Sequence, residues 1–69
     1  MPISGKKAIK ILEQNGFSIS RQKGSHVVLI KKTPGGKRIV VVPVHKELKK
    51  GTLRSIANMS ELDKGKFGL

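Results

Sequence analysis

The sequence predicts an α+β fold of order α-β-β-β-α, a three-stranded antiparallel sheet with two helices on one face. Three observations predict it. Apolar residues recur at helical spacing near both ends, at Ala8, Ile9, Ile11 and Leu12 and again at Leu53, Ile56 and Ala57. Between them lie β-branched runs, from His26 to Lys31 and from Arg38 to Val42. The turn formers Thr33-Pro34-Gly35-Gly36 separate those runs and should fold the second back on the first as a hairpin.

Each element has its own signals. Ser4 is a good N-cap and Asn15-Gly16 a good stop, so residues 5 to 15 read as the first helix. Phe17-Ser18-Ile19-Ser20 alternates with period two and starts a strand that runs to about Lys23, where Gly24-Ser25 ends it. The second strand spans His26 to Lys31 and the third Arg38 to Val42. Pro43 cannot donate to a ladder and closes the third strand. Thr52 is placed to cap a second helix whose stripe Met59 extends, and Asp63 to cap a last turn that docks Phe67. Val27 and Leu29 point to one side of their strand and Val28 and Ile30 to the other, so both sheet faces should be partly apolar. The second face is either a scatter of exposed aliphatics or a protein-binding surface.

A chain of 69 residues has room for one domain, residues 1–69, and not for a deep cofactor cavity, so function should lie on an open surface. No repeat or linker interrupts it. The absence of cysteine removes disulfides and thiolate ligands and fits a reducing compartment. Without a signal-peptide core or an apolar run of the ~20 residues that a membrane span needs, the expectation is a cytoplasmic protein with no membrane partner. Fifteen Lys and Arg against four Asp and Glu give a net charge of +11, which points to a polyanionic partner and first of all to nucleic acid. The only aromatics are Phe17 and Phe67, too few for a base-stacking platform, so contact should be with phosphate and sugar.

His26 and His45 are the only histidines and the natural proton-transfer groups. RNA carries its own nucleophile in the ribose 2′-OH, so a base and nearby cations suffice for cleavage, with no protein nucleophile. Spacing alone favours an ordinary surface histidine at the start of a strand for His26, and a histidine that fixes loop shape for His45. If Ser25 and His26 both lie in extended chain, their side chains leave on opposite faces, which disfavours a nucleophilic dyad between them. Ser25 is better read as a turn or phosphate contact. Glu13, Glu47, Glu61 and Asp63 are scattered, and His45-x-Glu47 is too short a constellation, so no metal site or cofactor is expected. No Walker or GxGxxG loop is present. The cations group as Lys6/Lys7/Lys10, Arg21/Lys23, Lys31/Lys32 with Lys37/Arg38, and Lys46/Lys49/Lys50 with Arg54.

Asn15-Gly16-Phe17, the run Arg21-Gln22-Lys23-Gly24-Ser25-His26, Val42-Pro43-Val44-His45 and the segment from Leu48 to Ile56 together resemble HicA toxins over nearly the whole chain. The resemblance implies a fold like that of double-stranded-RNA-binding domains and the toxin role in a type II toxin–antitoxin system of the stress response. It implies an mRNA interferase that inhibits translation, a HicB-type antitoxin as partner, and His26 as the catalytic residue. On this reading Arg21, Lys23, Gly24, Ser25, Lys46, Lys49, Lys50 and Arg54 bind RNA, and Lys23 and His45 are the candidates for a second group in catalysis. The free chain is expected as a monomer or weak dimer, and a non-catalytic RNA-binding module is the alternative. The sequence departs from the family pattern at Asn58 to Glu61, which leaves the end of the second helix open.

Overall fold

The computed structural model describes residues 3–69. The order is α1 (Gly5–Gln14), β1 (Ser18–Lys23), β2 (His26–Thr33), β3 (Gly36–Pro43) and α2 (Lys50–Ser60), with a closing 3₁₀ turn at Lys64–Phe67. The strands form one antiparallel sheet in the order β1-β2-β3. This is the expected α-β-β-β-α arrangement. Val27, Leu29, Val40 and Val42 point to one face and are buried there with Ala8, Ile11 and Leu12 of α1 and Leu53, Ile56 and Ala57 of α2. Both helices therefore lie on the same side. No helix among the described residues is long and apolar enough to cross a membrane.

The ends of α1 follow the local chemistry. The Ser4 side chain accepts from the Lys7 N–H at 3.0 Å, and Asn15 closes the helix with its amide on the Ile11 carbonyl at 2.7 Å. The second helix departs from expectation. It begins at Lys50 with Lys49 as N-cap and no side-chain cap bond, so Thr52 lies inside the first turn. Leu48 explains the change: it is buried, and its N–H binds the Ile3 carbonyl at 2.8 Å, which pins the chain just before Lys49. Met59 is 40% exposed, and Ser60 takes the buried place four residues after Ile56. Its hydroxyl donates to the Ala57 carbonyl and accepts from the Leu62 N–H, so the buried oxygen is satisfied. The helix continues through Asn58 to Ser60 and ends at Glu61 in the left-handed region. Asp63 caps the last turn through the Gly65 N–H, and Phe67 is 1% exposed, as expected.

The sheet is longer than expected at both sides of the main hairpin, because Thr33 and Gly36 still pair and only Pro34-Gly35 form the turn. The register of β1 on β2 slips between Ile19 and Arg21, leaving Ser20 as a bulge. In an unbroken strand Phe17, Arg21 and Lys23 would share a face. The bulge lets Phe17 enter the core while Arg21 and Lys23 take the other side.

Candidate active site

The face of the sheet away from the helices is open and carries His26. Counting outward from the Gly24-Ser25 turn, Lys23 pairs with His26 and Arg21 with Val28, while His26 pairs with Pro43 and Val28 with Val41 on the other side. Directly opposed residues of an antiparallel pair project to the same face. Arg21, Lys23, His26, Val28 and Val41 are thus neighbours on one surface, and the first three are exposed. None of the side-chain hydrogen bonds among the described residues involves the His26 ring.

The backbone around His26 is tightly framed even though its ring is exposed. Gly24 supplies the positive φ of 59° that the two-residue turn needs. The Ser25 carbonyl accepts the Val44 N–H at 2.6 Å, which ties this turn to the segment after β3. The His45 carbonyl in turn accepts the Gly5 N–H at 2.8 Å, so that segment is held by the start of α1. Gly5 is buried, and a Cβ there would lie 2.2 Å from the Pro43 carbonyl oxygen. Only glycine permits this approach. The role expected of the His45 ring in shaping the loop is carried by its backbone, and the ring itself is exposed beside Ser4, Lys6, Val44 and Lys46 in an open cleft.

The expected RNA-binding residues fall into separate places. Arg21, Lys23, Gly24 and Ser25 adjoin His26 in the ladder and its turn. Lys46 lies in the loop by His45. Lys49, Lys50 and Arg54 are exposed at the start of α2, which packs on the opposite side of the sheet from His26. The hairpin cations divide as well. Lys32 and Lys37 pair on the open face, while on the helix side Arg38 bonds Glu61 and Lys31 sits 5.8 Å from the Phe17 ring centroid. Among the described residues no three His, Asp or Glu side chains come together in a metal-holding group. Glu61 holds Arg38, and Asp63 caps a turn.

Sequence reasoning missed Gly5, the Val44 N–H and the bulge at Ser20. Gly5 alone left a signal: glycine in the first turn of a helix costs stability relative to alanine, so its presence asks for a reason. A family model described as HicA toxin of bacterial toxin-antitoxin matches residues 5–62, a span that takes in His26, the whole sheet and α2. No curated protein matches the chain.

Proposed function

This chain belongs to the HicA toxin family and is the toxin member of a toxin–antitoxin pair, and on that premise we propose that it is an endoribonuclease that cuts mRNA without a metal ion and so inhibits translation. The observation that carries the proposal is the cross-strand pair of Lys23 and His26 on an open face, with Arg21 on the same surface. His26 takes the proton of a ribose 2′-OH, and the freed oxygen attacks the adjacent phosphorus. The bond to the 5′ oxygen breaks, and that oxygen takes up a proton as it leaves. Lys23 and Arg21 stabilise the negative charge that builds on the phosphorane oxygens, where preorganised cations lower the barrier most. The products are a 2′,3′-cyclic phosphate and a 5′-hydroxyl. The whole chain works as one domain of the double-stranded-RNA-binding type, and the cytoplasm is where its substrate lies.

Lys46 and the cations at the start of α2 extend the RNA path without touching the reacting bond. A second reading, an RNA-binding module without catalysis, is favoured by one observation: no hydrogen bond among the described residues orients the His26 ring. Product analysis separates the two. Incubation of a long mRNA with the pure chain in EDTA should yield fragments ending in 2′,3′-cyclic phosphate. Intact RNA that is bound and recovered unchanged would establish the binding module instead.

A further inference from the structure

β3 is an edge strand, with β2 on one side and no strand on the other. Which of its backbone groups are unpaired follows from the hairpin. Thr33 and Gly36 flank a two-residue turn and so exchange hydrogen bonds, and bonded and non-bonded pairs alternate from there along an antiparallel ladder. Arg38, Val40 and Val42 therefore bond to β2, while Lys37, Ile39 and Val41 direct their N–H and C=O groups away from the sheet. Pro43 fits the same count, since it stands at the next outward position, where a missing N–H costs no ladder bond. No other backbone or side-chain hydrogen bond among the described residues takes up the groups of Lys37, Ile39 or Val41.

The two edges of the sheet are not alike. On β1 the bulge at Ser20 and the cations Arg21 and Lys23 discourage pairing, as edge protection does in other sheets. On β3 the outward residues are mainly apolar, with Ile39 46% and Val41 39% exposed. Their side chains continue an apolar strip from Ile30 and Val28, their partners across the ladder. Lys37 and Lys32 close one end of that strip and Arg21 lies beside the other.

We propose that the outer edge of β3 accepts an extended strand of the antitoxin, which pairs with Lys37, Ile39 and Val41 and is acidic where it meets Lys37. The inference rests on the toxin–antitoxin reading and adds the place and mode of contact. A strand in this position exchanges backbone bonds with three residues and lays β-branched side chains beside Ile39 and Val41. A carboxylate opposite Lys37 complements a chain of net charge +11. A second copy of this chain is a poor occupant of the same edge. It would set two such charges against each other across only three outward residues.

The test is amide hydrogen exchange followed by NMR, on the free chain and on its complex with the cognate HicB-type antitoxin. In the free chain the amides of Arg38, Val40 and Val42 should be slow and those of Lys37, Ile39 and Val41 fast. In the complex the second set should slow by about 100-fold at a free antitoxin concentration near 100 times Kd. Ile39→Pro removes one outward N–H away from the His26 neighbourhood and should weaken the complex roughly tenfold, with RNA cleavage by the free variant unchanged. A complex in which those three amides keep their free rates overturns the proposal. So does protection of the same amides in the free chain that grows with its own concentration, which would put a second copy on the edge. Cleavage assays on the same free protein keep the readings apart, since a chain that cuts no RNA yet gains this protection would sink the nuclease reading alone.

Discussion

A Cβ on Gly5 would lie 2.2 Å from the Pro43 oxygen and 2.8 Å from the Val44 Cα, both backbone atoms that cannot swing aside. Gly5→Ala must push α1 away from the segment that frames His26. The expected cost is about 1–3 kcal/mol, read as a lower urea midpoint, with a further loss of cleavage beyond what the unfolded fraction explains. Lys23 is a different case, because it is exposed and its loss leaves the fold alone. Lys23→Ala should weaken RNA binding and cleavage together, measured by filter binding and fragment yield on the same preparation. The place of Lys23 beside His26 was legible in the sequence through the Gly24-Ser25 turn between them. That of Gly5 was not, because the clash is with residues some forty positions away along the chain.

At the level of elements, local signals set the helix and strand types, and tertiary contacts set two of the boundaries. Ser4 caps α1 as its residue type suggests, whereas Thr52 loses that role to Lys49 because the buried Leu48 fixes where α2 begins. Ser4→Ala should therefore cost about 1 kcal/mol in equilibrium unfolding, while Thr52→Ala should stay within about 0.5 kcal/mol of the parent. The bulge at Ser20 escaped the sequence because a period of two in Phe17 to Ser20 gives no sign of where it breaks. Deleting Ser20 would leave Phe17 and Arg21 three positions apart in a regular strand and so on opposite faces, where the bulge already puts them. Both the core and the open face would keep their residues. The deletion should therefore cost well under the loss of about 3–5 kcal/mol that removing a buried phenylalanine brings, as read in thermal or urea unfolding.

The whole molecule carries a net charge of +11 with only four carboxylates, one of them committed to Arg38 and one to a turn. Self-repulsion on this scale is spread over the surface and is screened by salt. The chain alone should thus become more stable as salt is added, while its hold on RNA falls. With Arg21, Lys23, Lys32 and Lys37 on phosphates of a single strand, log affinity against log salt should have a slope of about −3, steeper by the share of Lys46 and the α2 cations. A slope near zero would mean that the open face does not carry the RNA. The charge, the strand pattern and the helix stripes made the fold and the basic surface legible. Their division between two faces of the sheet was not, since it depends on the register of β1 on β2.

The central claim is that His26 transfers protons in RNA cleavage, and the most direct test compares the parent chain with His26→Ala on one long mRNA in EDTA, with filter binding alongside. The account predicts that cleavage falls by on the order of 10²–10⁴-fold while binding changes little. Cleavage by His26→Ala at the rate of the parent would contradict it.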